Sequence, residues 1–366
     1  MNWLILILLL LAIVLVIRKY LQRPEFGAVP AGKRLKRIQS SKNYKNGKFE
    51  NLTKTPQLSQ SASYISVIWR YFFYPKKNLI PKERFHFNPA DLKNLDPDED
   101  IMVWMGHSSY FIQLGGRKML IDPVFSGHAS PFNWSTKAFA GADIYTPDDI
   151  PDLDYLIITH DHWDHLDYTT VSALQMRVDT VITGLGTGAH LEHWGYAAGQ
   201  IMELDWWESI LPEAGIKVTA VPTRHFSGRS LARNKALWTG FVWEAAGLKL
   251  LLGGDGGYGE HFGEIGRLLG PFDLAILEAG QYNKDWPYIH MMPGEHARAM
   301  ADLQAHTAMM VHNSKFSLSV HPWNEPMESV VQGVGSDKRI LTPRIGELVK
   351  LRDKNQHFDY WWRELA

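Results

Sequence analysis

The sequence predicts an α+β fold: two β-sheets face to face with helices outside, preceded by an N-terminal hydrophobic helix. Three observations lead to it. From about residue 100 onward, short apolar strand patterns come in clusters with helical patterns between them, which suits a layered domain. Before that, residues 3–17 form one unbroken apolar run. Finally, His160, His225, Asp255 and His312 each lie just past the end of an apolar run that reads as a buried strand. Residues so placed can converge on one rim of a sandwich.

A chain of 366 residues buries one large core or two modest ones. The formal net charge of -1 gives no global field for nucleic acid. The absence of cysteine excludes disulfides, thiolate zinc sites and cysteine nucleophiles. Sixteen histidines are therefore the main nitrogen ligands on offer.

The apolar run 3–17 closes on Arg18 and Lys19. It falls short of the ~20 residues of a full span, but snorkelling by those two residues, with Tyr20 and Leu21, completes the crossing. Its positive charge follows the run, opposite to a cleaved signal peptide, and Ala28-Val29-Pro30-Ala31 lies far off for a cleavage site. Residues 1–21 are thus expected to be an uncleaved transmembrane anchor. The positive-inside rule then puts the amino terminus outside and the body in the cytoplasm.

Residues 22–99 read as a basic juxtamembrane and linker segment. Up to Lys54 it is rich in Lys and Arg, with Glu25 and Glu50 its only acids. It is either solvated or held against anionic lipid. A second aromatic stretch, residues 68–75, is expected to pack on the compact domain of residues 100–366. In that domain strands are expected at 101–105, 110–114, 118–121, 155–159, 180–183, 216–221, 237–243, 249–252, 273–277 and 308–311. Helices are expected at 168–176, 260–269, 294–305 and 325–334.

The centre of the sequence is Thr159-His160-Asp161-His162-Trp163-Asp164-His165. Imidazole nitrogen and carboxylate oxygen suit zinc and similar divalent metals. Crowded on one short loop, His160, His162, Asp164 and His165 suit two metals better than one, because a single tetrahedral ion seldom takes four neighbours from one loop. His225, Asp255 and His312 are further candidates. His107 reads as a structural or supporting residue, and His321 is the rival of His312. His290 is placed to orient substrate or protonate a leaving group. His128, His190, His193, His261 and His296 read as ordinary polar positions.

The His-x-His-x-Asp-His pattern resembles the metallo-β-lactamase fold superfamily of dinuclear metallohydrolases. Further stretches look like its N-acyl-phosphatidylethanolamine-hydrolysing phospholipase D family: Gly106-His107-Ser108-Ser109, Ile121-Asp122-Pro123-Val124-Phe125-Ser126, Ala129-Ser130-Pro131, Asp164-His165-Leu166-Asp167-Tyr168, Glu203-Leu204-Asp205-Trp206-Trp207-Glu208 and Gly270-Pro271-Phe272-Asp273-Leu274-Ala275. The similarity runs from about Trp104 to Pro326. It departs at Asn313-Ser314-Lys315-Phe316, where the family usually has Trp-Gly-Thr-Phe, and at Gly256, where threonine is common.

The resemblance implies a four-layer αββα sandwich holding two divalent metal ions, taken as Zn2+. His160, His162 and His225 would hold one, and Asp164, His165 and His312 the other. Asp255 would bridge them, and a shared hydroxide would be the nucleophile. Asp164, Asp255 and His290 are the implied catalytic residues. The expected activity is a membrane-anchored phosphodiesterase that cleaves N-acyl-phosphatidylethanolamine or a related phospholipid. A hydrolase of another ester, such as a lactone or cyclic phosphate, is the alternative. A non-catalytic metal- and lipid-binding envelope protein is the alternative of another class. Trp286, Met291 and Met292 are candidates for an apolar rim, with Trp206 and Trp207 in the core. The expected partners are the substrate and the membrane, not nucleic acid.

Overall fold

A computed structural model describes residues 2–73 and 77–365, so Tyr74 and Pro75 of the second aromatic stretch lie outside the described residues. The body contains two seven-stranded sheets. The first holds β3 (Ile101–Trp104), β4 (Tyr110–Leu114), β5 (Arg117–Ile121), β6 (Leu153–Ile158), β7 (Val178–Gly184) and β8 (Ile201–Leu204), in that order, with β16 (Leu348–Lys350) beside β3. The second runs β15-β14-β13-β12-β11-β10-β9, made of β9 (Ser209–Glu213), β10 (Ile216–Pro222), β11 (Thr239–Ala245), β12 (Leu248–Leu252), β13 (Leu274–Glu278), β14 (Thr307–Val311) and β15 (Arg339–Leu341).

Strand direction dictates where the helices go. β3 to β5 and β9 to β12 pair antiparallel, most through short turns, while β10 and β11 are joined by the long loop 223–238 that carries His225. From β5 to β8 and from β12 to β15 the pairing is parallel, so each link must cross over the sheet. Two of these links carry α4 (Tyr168–Leu174) and α5 (Gly188–His193) on the first sheet. Another three carry α6 (His261–Leu269), α7 (Glu295–Asp302) and α8 (Glu325–Gly333) on the second.

Alternation along the strands gives each sheet two buried faces. In β3, Met102 and Trp104 join the core between the sheets, while Ile101 and Val103 face the cluster under α4 and α5. β4, β5 and β6 repeat the split, with Phe111, Leu120, Leu156 and Ile158 on the helix side. The result is the expected four-layer αββα sandwich.

The N-terminal part differs from its expectation. Helix α1 (Asn2–Tyr20) contains an 18-residue stretch, Trp3–Tyr20, of mean hydropathy 2.5 in which, among the described residues, none is buried. The segment after it is no solvated linker, and its Arg34 and Arg37 turn to the body. The turn Pro24–Phe26, helix α2 (Gly32–Ser40) and the hairpin β1 (Tyr44–Lys45)–β2 (Lys48–Phe49) dock on the body, with Phe26, Ile38 and Phe49 buried in turn. Arg34 pairs with Glu192 and Glu203, and Arg37 with Glu208. These two arginines are matched by acids on the body far away in sequence. Helix α3 (Tyr64–Phe73) is fixed to the body by Arg70, 2.7 Å from Asp285, but leaves Ile65, Trp69 and Phe73 exposed, which the packing expectation did not foresee.

Candidate metal centre

Each candidate ligand sits just past a strand at one rim of the sandwich. His160 is two residues beyond β6, His225 three beyond β10, Asp255 three beyond β12 and His312 one beyond β14. The turn after β6 is set by Asp122, in the left-handed region at φ 43° just after β5. Its carboxylate accepts from Thr159 N at 2.8 Å and Thr159 Oγ1 at 2.6 Å. Its Oδ2 also lies 2.7 Å from His165 Nδ1, so His165 turns Nε2 into the site.

The rings meet in two groups. His160 Nε2 is 2.9 Å from His162 Nδ1, and His225 Nε2 is 3.2 Å from the same atom. His107, Asp164, His165 and His312 form the second group, all their ligating atoms lying within 4.8 Å of one another. Asp255 stands between the groups. Its Oδ2 is 3.1 Å from His165 Nε2 and 3.2 Å from His312 Nε2, and 3.8 Å and 4.0 Å from the Nε2 atoms of His225 and His160. One carboxylate oxygen thus reaches nitrogens of both groups, the position a bridge requires.

The donors beyond these atoms orient the rings. His225 Nδ1 donates to Ile289 O at 2.9 Å, which leaves the Nε2 lone pair free for the site. His312 Nδ1 is 3.0 Å from Ser108 Oγ. His107 Nε2 lies 2.9 Å from Asp164 Oδ2, consistent with a supporting role. His107 and His312 both have positive φ, 52° and 66°, strain held by mutual support: His312 N donates to His107 O at 2.9 Å.

Electrostatics fit cations. Burial, reinforced by neighbouring imidazoles, holds His160 and His225 well below the usual histidine range, and burial does the same to His312. Their nitrogens are thus available as neutral donors. Burial works to raise the Asp164 and Asp255 carboxyls, but His165 and its neighbours hold both well below the usual range. For His165 burial is outweighed by Asp255, Asp164 and Asp122, which raise it well above the ordinary value. Asp255 Oδ1 is buried without any hydrogen-bond partner. Buried carboxylates beside the neutral imidazoles of His160, His225 and His312, one oxygen unpartnered, fit divalent metal ions.

His290 also reaches the site. Its ring stacks on His312 at 5.0 Å, and its Nδ1 lies 3.6 Å from Glu278 Oε2. Burial pushes Glu278 up to about 7, while for His290 the Glu278 carboxylate outweighs burial and raises it. His321 does not compete with His312: its Nε2 accepts from Gln281 N at 2.8 Å, outside the cluster. Three supposedly ordinary histidines, His190, His261 and His296, are buried. His190 pairs with Asp161 at 3.3 Å, next to the first ligand. Met291 is core, not rim, because its backbone N is tied to Glu278 beneath the surface. Trp286 and Met292 remain half-buried, and Trp206 is core as expected.

Two supports carry no sequence signal. Buried Arg229 donates to Asp161 O and Leu166 O, spanning the ligand loop, and lies 4.0 Å over Trp163. Asn51, from the N-terminal segment, hydrogen-bonds the backbone of His225 on both sides. Both act largely on backbone groups, which every residue has, so no residue pattern announces them.

A family profile described as a beta-lactamase superfamily domain matches residues 117–313, just over half of the chain. An uncharacterised protein of Mycobacterium tuberculosis is 33% identical over 335 residues, 89% of this chain and 88% of that one. The N-acyl-phosphatidylethanolamine-hydrolysing phospholipase D 1 of Caenorhabditis elegans is 29% identical over 308 residues, 75% of this chain and 81% of that one. An isothiocyanate hydrolase from Delia radicum gut bacteria has the same fold, with a TM-score of 0.54, 19% identity, and coverage of 68% and 98% of the two chains.

Proposed function

Since the chain belongs to the beta-lactamase superfamily, as a member of its metal-dependent hydrolases, we propose that it is a membrane-anchored phosphodiesterase of the phospholipase D type. Its substrate is N-acyl-phosphatidylethanolamine or a closely related phospholipid. The observation that carries the catalytic part is Asp255 Oδ2, within 4.0 Å of four histidine nitrogens, two from each group. His160, His162 and His225 would hold one ion and Asp164, His165 and His312 the other, with Asp255 within reach of both; zinc is the expected metal. Two bound divalent ions supply Lewis-acid charge and a water ionised near neutral pH.

The chain's own residues do the rest. Asp122, Ser108 and Ile289 O hold three imidazoles in the orientation that presents nitrogen to the site. His290, backed by Glu278, is placed to pass a proton to the departing oxygen. The lipid part of the reading is supported by the likeness to the nematode phospholipase D and by α1. Anchoring raises the local concentration of a membrane substrate. Arg18 and Lys19, after the apolar run, favour a cytoplasmic body.

Purified full-length protein of measured metal content, incubated with phospholipids, lactones and cyclic nucleotides, tests this by mass spectrometry. Phosphatidic acid released from N-acylated lipid alone is the expected result. Lactone opening without phospholipid cleavage would overturn it. A carboxy-terminal topology reporter tests the cytoplasmic placement.

A further inference from the structure

Helix α1 does not lead into a loose tether. Its last residue, Tyr20, stacks on Phe132 with ring centroids 5.4 Å apart, and its hydroxyl donates to Pro131 O at 2.8 Å. Arg23 lies 5.1 Å from the centre of the same Tyr20 ring. Trp194 Nε1 donates to Pro24 O at 2.7 Å, and Arg229 Nη2 to Glu25 O at 2.8 Å. Phe26 is buried edge-on against Trp163, at 5.2 Å. Ala28 N donates to His190 Nδ1 at 3.2 Å. Trp163 stands between His162 and Asp164, so the anchor's exit segment rests on the ligand loop itself. At ~3.5 Å per extended residue, the step from Tyr20 to Phe26 spans about 20 Å at most.

Beside this junction the body holds two aromatic side chains out to solvent. Phe132 is 43% exposed and Trp134 72%, their rings 5.4 Å apart. An isolated exposed aromatic residue needs no explanation. These two continue directly from Tyr20 at the end of an unburied apolar helix, and Arg18, Lys19 and Arg23 stand at the same junction. Aromatic rings and basic side chains together suit the interface of a bilayer: rings among the headgroups, cations against phosphates.

Resting on the anchor reading above, we propose that residues 130–134 form a membrane-interface contact. Phe132 and Trp134 insert among the headgroups of the bilayer that α1 spans, and the docked segment 20–28 turns the ligand-bearing rim toward it. A phospholipid then approaches the site from the plane of the membrane. The opposite rim, where β9 exposes Leu211, faces water.

The lack of cysteine makes single-cysteine probes unambiguous. Trp134→Cys, Leu211→Cys and Val14→Cys, each in the full chain and labelled with NBD, are reconstituted in phosphatidylcholine–phosphatidylglycerol vesicles with or without a shallow doxyl-labelled lipid. For a probe at the headgroup level, the expected result at residue 134 is blue-shifted emission quenched roughly twofold. The probe at residue 211 should keep its aqueous emission. Quenching at residue 14 without quenching at 134 would overturn the interface contact and leave the anchor standing. Equal quenching at 134 and 211 would overturn the orientation. No quenching at residue 14 would overturn the anchor reading, and this proposal with it.

Discussion

Asn51 holds the backbone of His225 from both sides: its Oδ1 accepts from His225 N at 3.1 Å, and its Nδ2 donates to His225 O at 2.7 Å. Trp238 Nε1 donates to the same Oδ1 at 3.1 Å. A residue in the segment that joins α1 to the sandwich therefore sets the position of a candidate ligand 174 residues away. Asn51→Ala leaves the His225 N–H without this partner and frees the loop to shift. Supports of ligands typically govern metal affinity by ~10-fold or more. We expect such a loss of affinity at the His160–His162–His225 group, measured by competition with a chromogenic chelator. Unchanged affinity would remove Asn51 from the site.

Asp255 makes the sharper test of two ions. Replacing it by Ala removes the one oxygen near both groups, so both turnover and full metal loading should be lost. Elemental analysis that still finds two metals per Asp255→Ala chain would refute the bridging assignment. Stripping the wild-type protein with chelator should lower its Tm, since an ion that binds only the folded state stabilises it. Re-adding zinc should restore both Tm and activity.

The candidate ligands are legible because each obeys one local rule: an apolar strand, then a turn, then a polar residue. His160, His225, Asp255 and His312 all meet it, and the strands that carry them were placed within a few residues. β8, β9, β15 and β16 were not seen. They are short and half-exposed, so their hydrophobic pattern is weak, and only pairing with a neighbour makes them strands. The docked N-terminal segment was hidden for another reason. Its charge reads as solvated until Glu192, Glu203 and Glu208, more than 150 residues on, are brought beside Arg34 and Arg37.

Arg229 ties three stretches with one guanidinium: Asp161 O, Leu166 O and Glu25 O. Lysine offers one compact point charge without the planar fork, so it cannot reach all three acceptors. Arg229→Lys should weaken metal binding and release residues 20–28 from the body. Limited proteolysis should then cut near Arg23, in the variant and not in the wild type. Identical digestion patterns would argue against the clamp.

Lys315 explains one departure from the family pattern. It is fully buried, with Nζ 2.7 Å from Asp143 and 2.8 Å from Val124 O. Burial lowers its pKa while Asp143 opposes the shift. Lys315→Met strands the Asp143 carboxylate and a buried carbonyl together. Asp143 is only half-buried, so breaking the pair from one side costs less than the ~3 kcal/mol of a fully buried pair, read as a lower urea midpoint. Replacing both Lys315 and Asp143 by apolar residues should recover part of that loss, and no recovery would mean that packing, not charge, is at stake.

His296 supplies a pH test at a residue outside the candidate ligand set. Its Nε2 donates to Glu278 O at 3.1 Å, and burial lowers its pKa from 6.5 to about 4. Above pH 6.5 neither the folded nor the unfolded state holds the extra proton, so the group does not tilt the balance. As pH falls below 6.5 the unfolded chain takes up the proton and the folded chain does not, so stability drains away until about pH 4. Between pH 6.5 and 5 this amounts to about 2 kcal/mol. His296→Gln keeps an N–H donor but does not titrate, so its stability deficit should be largest at pH 7.5 and shrink by pH 5. Loss of metal at low pH affects both proteins alike and cancels in the difference. A deficit that stays constant over that range would show that His296 is protonated or solvated in the folded state.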